Sequence, residues 1–332
     1  MLADLALALS DPEEPVDRLY QAMLANEHLE GGAQHPVIAA AARDMLNRPA
    51  EERGSVLSSA MSYLSIYRDP LVARNTSHSD FRIADLMDHE RPVSLYLVVR
   101  PADKDRLRPL MRLVVNQIVR VLVREGLRFE GGEPVAPHKH RMLLMLDEFP
   151  SFGRLEVFQE ALAYLGGYGI KAYIVMQDLA QLWGAYGREE SIISNCHVRI
   201  AYAPNKLETA EWLSRMTGTA TVVTEDFNMS GQRFAALLGH VSRTVHESKR
   251  PLLTPDECMR LRAAVKDPAG RITEPGEVLV FVAGHSPIAA TQILYFRDPV
   301  FERRARMPAP SSGIIRPAPF VLSDAPPEGT RT

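Results

Sequence analysis

Apolar positions change their spacing several times along the chain, and each change marks a new kind of element. Over residues 15–24 and 37–46 they recur every three or four residues, the period of a helix with one buried stripe. Breaks at Glu30-Gly31-Gly32 and at 49–54 separate these segments, and residues 55–67 alternate small and apolar positions as one more helix. The first 65 residues therefore read as a helical bundle. After a polar, irregular stretch, residues 94–99 (SLYLVV) form a β-rich apolar run that predicts a strand. Residues 106–124 follow as a long amphipathic helix, with Leu110, Leu113, Val114, Ile118, Val121 and Leu122 on one face. Residues 130–140, rich in Gly and Pro, read as an exposed connector.

The next change is the sharpest. Residues 142–146 (MLLML) are continuously apolar and run straight into Asp147 and Glu148. Such a run predicts a strand of a parallel sheet covered on both faces. Residues 155–165 predict a helix stopped by Gly166, Gly167 and Gly169, and 170–176 (IKAYIVM) the next strand, with Gln177 at its carboxyl end. A helix start at 178–183, a strand at 197–203 and a helix at 206–216 ending at Gly218 continue the alternation. Strand and helix in turn, from 94 to 218, predict an open α/β sheet with right-handed crossovers. Beyond it, 219–224 is β-branched, 227–239 is weakly patterned with FAALLG as a short helical turn, and Thr254-Pro255-Asp256-Glu257 is a capping box opening a helix to Val265. Residues 277–283 and 290–296 read as two closing strands, and from Pro308 the chain reads as a disordered tail. The expected organisation is a helical subdomain at 1–68, an α/β domain at 69–300 and a Pro-rich tail at 301–332.

Composition narrows the class without choosing a function. The chain is 46% hydrophobic and 24% charged with a net charge of −3, so any nucleic-acid surface must be local. The two cysteines, Cys196 and Cys258, stand in no CxxC or Cys/His metal pattern. No apolar run reaches the roughly 18 residues that a spanning helix needs.

Candidate chemistry gathers at the carboxyl ends of the predicted strands, where open α/β sheets bind ligands. An apolar strand ending in two acids has the layout of a Walker B element. In such an element the first acid holds the magnesium–water shell and the second polarises the attacking water, which makes Asp147 and Glu148 the candidates for those roles. Gln177 ends the following strand on the same rim, and its amide can both donate to a phosphate oxygen and accept from a water. The phosphate-cradling GxxxxGK(S/T) motif is absent, and no Gly-Lys pair occurs. Arg154, Lys171, Arg199 and Arg215 are basic residues that can act in trans, as arginine fingers or DNA contacts. Cys196-His197 has no third partner for a nucleophile reading, and no GxSxG elbow occurs.

The stretch LLMLDEFPSFGRLEVFQEALAYLGGYGIKAYIVMQDLAQLWGAYG, followed by IISNCHVRIAYAPNKLETAEWLSRMTG, resembles the Walker B half of TraG/TraD-type coupling proteins of conjugative type IV secretion systems. SYLSIYRDPLVARNTSHSDFRIADLM, HERPVSLYLVVRPADKDRLRPL and SKRPLLTPDECMRL extend the resemblance over roughly 57–296. It implies a RecA-like, P-loop-type sheet with helices on both faces, preceded by the end of an all-α insertion. Asp147 and Glu148 match the family's Walker B acids, and Gln177 its strand-end glutamine. The resemblance further implies ATP and Mg2+ as cofactors, and DNA, relaxase or relaxosome proteins and the secretion channel as partners. It also implies a homo-oligomeric ring and a place at the cytoplasmic face of the bacterial inner membrane. With no Walker A loop or membrane anchor in the sequence, the expectation is a truncated or split coupling protein, or a degenerate subunit working beside an intact one. The alternative expectation is a non-catalytic module that docks relaxosome proteins through the region after Gly218 or the tail, with no nucleotide bound.

Overall fold

The computed structural model describes residues 2–29, 32–230 and 240–308, which fall into two compact units, 2–121 and 122–308. The first is built of helices: α1 (Leu2–Ala8), α2 (Val16–Ala25), α3 (Pro36–Asn47), α4 (Ala50–Leu64), α5 (Pro70–Asn75), α6 (Asp85–Asp88) and α7 (Lys104–Leu122), which ends at the unit's boundary. Helical structure thus continues well past residue 68. Its core buries Ala3, Ala6, Tyr67 and Val72, with Leu64, Ile66, Leu107 and Leu110 packed against them. Asp69 starts α5 by accepting from the N–H groups of Leu71 (2.8 Å) and Val72 (3.2 Å), while Pro70 presets the first helical φ. Those two amides, with Arg106 beside them, hold the Asp69 carboxyl below the usual carboxylate range.

Residues 94–99, expected as a strand, carry no ladder bonds, and Tyr96 and Val98 stand 83% and 87% exposed. β-propensity supplies the side chains of a strand but not its neighbour, and among the described residues no strand pairs with this stretch.

The second unit contains β1 (Arg128–Glu130), β2 (Glu133–Val135), β3 (Met142–Leu146), α8 (Glu156–Ala161), β4 (Ile170–Ile174), α9 (Leu179–Tyr186), α10 (Ile192–Asn195), β5 (Val198–Ala201) and α11 (Leu207–Thr217). It continues with β6 (Thr219–Ser230), β7 (His240–Pro251), α12 (Pro255–Met259), β8 (Val265–Lys266), β9 (Ile272–Glu274), β10 (Glu277–Val282), β11 (Ile288–Thr291) and α13 (Pro299–Ala305). β3 and β4 pair in parallel, Met142 beside Ile170 through Leu146 beside Ile174. β5 lies antiparallel to β10, which also pairs with β11. The expected connector at 130–140 contains the β1–β2 hairpin, turned by Gly131 and Gly132 at φ 61° and 88°, values that a side chain resists. The helix expected to reach Val265 stops at Met259. Its capping box is in place: Thr254 accepts from Glu257 N–H at 3.2 Å, and Glu257 accepts from Thr254 N–H at 2.8 Å.

β6 and β7 pair over their whole length, Thr219 beside Pro251 through Ser230 beside His240, as a long two-stranded ribbon. Residues 231–239, including the expected FAALLG turn, lie outside the described residues, as does the expected tail from 309 onward.

Apolar residues of β3 and β4 face two ways. Leu146 and Ile170 are buried, whereas Leu143 (58%), Met145 (60%) and Tyr173 (47%) are exposed on the other face. Among the described residues one face is covered and one is open.

Candidate functional site

The two predicted strands end side by side. Val175 N–H donates to Leu146 O at 3.0 Å, and Phe149 N–H donates to Val175 O at 2.9 Å, so main-chain bonds join the strand ends on either side of the acids. Between these bonds Glu148 adopts φ 47°, ψ 45°, a left-handed conformation held by no other non-glycine residue among those described. A side chain there costs roughly 1–2 kcal/mol and persists only where its surroundings fix it. The surroundings are identifiable. Phe149 is fully buried, its ring 5.6 Å from the stacked ring of Tyr186 and 5.3 Å from that of Phe158. The Tyr186 hydroxyl accepts from the Leu155 N–H at 3.0 Å, which ties the segment after the acids to the end of α9. Sequence reading passed over these aromatics; the signal was a run of Phe149, Phe152 and Phe158 just past the acids.

Asp147, Glu148 and Gln177 are all exposed on this rim. The Gln177 amide nitrogen donates to Glu148 Oε1 at 3.1 Å across 29 residues of sequence. Asp147 Oδ1 accepts from the Glu148 N–H at 3.0 Å, turning its carboxylate alongside the neighbouring residue. Two carboxylates and a carboxamide thus stand together at the carboxyl end of the parallel pair. Among the described residues no three His, Cys, Asp or Glu side chains converge as a metal site. That donor set suits Mg2+, which keeps most of its waters and takes one or two protein carboxylates together with ligand phosphates.

The basic residues singled out from the sequence lie elsewhere. Arg199 donates from Nε (3.1 Å) and Nη2 (2.9 Å) to Ile193 O, satisfying a carbonyl of α10. Arg154 lies 3.5 Å from Glu156, Lys171 stands on the open face of β4, and Arg215 is exposed in the last turn of α11. Cys196 is partly buried, and burial pushes its thiol up, away from thiolate chemistry.

No helix among the described residues is long and apolar enough to cross a membrane. Residues 5–313 match the model of the type IV secretory system conjugative DNA transfer family. A conjugal transfer protein TraG of Escherichia coli is 55% identical over 305 residues, 91% of this chain and 48% of the relative. The protein VirD4 of Agrobacterium fabrum is 28% identical over 263 residues, 79% of this chain and 35% of the relative. The chain thus spans about half the length of the TraG protein it matches. Among solved structures, the bacterial conjugative coupling protein TrwBdeltaN70 superposes with a TM-score of 0.56 at 18% identity, covering 90% of this chain and 70% of that one. TrwB in complex with ADP and Mg2+ does so with a TM-score of 0.55 at 16% identity and the same coverage. The fold is α/β, of the RecA-like P-loop type found in those structures.

Proposed function

Because the chain belongs to the type IV secretory system conjugative DNA transfer family, we propose that it forms part of a coupling protein delivering a relaxase–DNA complex to the secretion channel. In this reading the Asp147–Glu148–Gln177 rim is the Walker B side of an ATP–Mg2+ site. The observation that carries it is the Gln177–Glu148 hydrogen bond, which brings a strand-end amide onto the second acid of the pair. Support comes from the relative solved with ADP and Mg2+.

When bound, Mg2+ would neutralise phosphate charge and polarise the transferred phosphoryl group. Asp147 would hold the ion through its water shell. Glu148, fixed by its left-handed backbone, would orient a water and accept its proton. Gln177 would steer the Glu148 carboxylate and release it as a phosphate oxygen takes over the amide. Phosphate-cradling amides and the lysine would come from polypeptide other than these residues, since GxxxxGK(S/T) does not occur in this sequence. The same proposal places the helical residues 1–68 at the end of an all-α insertion, the working form in a homo-oligomeric ring, and the chain at the cytoplasmic face of the inner membrane.

The test is DNA-stimulated ATP turnover beside Mg–ATP binding. Glu148→Gln is expected to abolish turnover while leaving binding intact, and Asp147→Asn to weaken binding only when Mg2+ is present. Turnover indifferent to Glu148→Gln would refute the assignment. The second reading is a non-catalytic module that docks relaxosome proteins. Capture of relaxase components by a chain that binds no nucleotide would select it.

A further inference from the structure

Helix α11 joins the rim to the base of the β6–β7 ribbon at both of its ends. At its start, Thr209 Oγ1 accepts from the Leu179 N–H at 3.4 Å, two residues past Gln177. Lys206, the residue capping α11, places Nζ 3.5 Å from Asp178 Oδ2, and the Asp178 side chain is only 14% exposed. Asp178 also accepts from Gln181 N–H at 3.0 Å, so the residue after Gln177 caps α9 and contacts α11 together.

At the other end, Ser214 and Thr217 are the buried polar residues of the second unit among those described. Ser214 Oγ donates to Leu253 O at 2.6 Å, and Thr217 Oγ1 accepts from Leu253 N–H at 3.3 Å. Leu252 N–H donates to Gly218 O at 2.9 Å. These bonds clamp both feet of the ribbon, just before Thr219 and just after Pro251, onto the last turn of the helix. Between its ends Ala210 and Leu213 are buried with Cys258, Leu279 and Phe281, so α11 is packed along its length. An 11-residue helix spans about 16 Å. Among the described side chains of the ribbon, Thr221, Val223, Thr224 and Glu225 of β6 and residues 245–250 of β7 are exposed, and Arg250 pairs with Glu257 at its foot. A two-stranded ribbon depends on such anchors for its order.

We propose that α11 is a rigid link through which the state of the Glu148–Gln177 pair sets the order of the β6–β7 ribbon. A shift of Gln177 moves Asp178 and Leu179 with it. Their bonds to Lys206 and Thr209 pass the shift to α11, and the Ser214–Thr217 clamp delivers it to the ribbon's feet. A packed helix held by hydrogen bonds at both ends is the kind of contiguous element that carries such coupling.

Hydrogen–deuterium exchange on the full chain tests this with no nucleotide present, so its result stands apart from the ATP reading. Gln177→Leu is expected to speed exchange of ribbon amides in 219–225 and 245–251 by roughly two- to five-fold, the weight of one modest hydrogen bond. In a Thr209→Val background that response should vanish, and Thr209→Ser should restore it. Lys206→Met should reduce the response as well, and carries the test if Thr209→Val does not fold. A response confined to residues 177–181, or one of equal size with and without the Thr209 hydroxyl and the Lys206 amine, would overturn the proposal.

Discussion

Leu146 and Met145 are neighbours on one strand, yet one is 5% exposed and the other 60%. The same contrast runs across the pair. Ile170 is buried at 1%, and Tyr173, three residues on, is 47% exposed. Both faces of β3–β4 carry residues fit for a core, because a continuous apolar run is written for a strand packed on both sides. Past Leu146 and the two acids the chain enters the aromatic set of Phe149, Phe158 and Tyr186. The open face carries Leu143, Met145 and Tyr173 beside Lys171. The difference teaches that buried and exposed apolar residues can alternate along one strand whose sequence is apolar throughout.

Four substitutions separate the two faces. The largest effect is expected at Phe149→Ala, which empties the space between Phe158 and Tyr186. It should cost about 3–5 kcal/mol in a urea titration and free Glu148 from its left-handed setting. Next comes the direct comparison: Leu146→Ala should cost about 2–5 kcal/mol and Met145→Ala within about 0.5 kcal/mol on the same chain. Equal losses at the two neighbours would show that the open face is filled in solution. Tyr186→Phe removes only the hydroxyl that accepts from Leu155, leaving a buried amide without a partner at a cost of about 1–3 kcal/mol.

The smallest effects belong to the cap of α12, whose Cys258 closes the covered side of β10. Thr254→Ala should cost about 1 kcal/mol, read as a lowered melting temperature. Thr254 donates to Glu257 from its backbone and its hydroxyl, and this holds the Glu257 carboxyl below its ordinary 4.5. Because the folded value is the lower one, its contribution is fully present above pH 4.5 and fades as pH falls through that folded value. Glu257→Gln, which removes the titrating group, should therefore flatten the acid limb of the stability curve, and an unchanged limb would count against Glu257 as its source.

Much of the rim was legible in the chain. MLLML followed by Asp147 and Glu148, and IKAYIVM followed by Gln177, gave both strand ends and the residues that meet there, because strand direction alone puts these termini together. The capping box at Thr254 was legible for the same reason, being local. What escaped was non-local. Residues 94–99 have the composition of a strand, but pairing depends on a neighbour. β7 (HVSRTVHESKRP) was invisible because it shows no apolar alternation, and its described residues 245–250 are all exposed. Gly131-Gly132 between FE and EP was a readable two-residue hairpin turn taken for a plain connector. The open face of β3–β4 could not be read from a run that is apolar throughout.

Glu148 sets an asymmetry in what random substitution can do. Its left-handed backbone is easier for glycine or asparagine than for a glutamate, and its carboxylate is exposed. Folding alone would let this position drift toward the smaller residues. A lineage released from the rim's chemistry should lose the acid here early while Phe149 and Tyr186 stay behind, a trace of use that can be looked for in gene sequences with no assay at all.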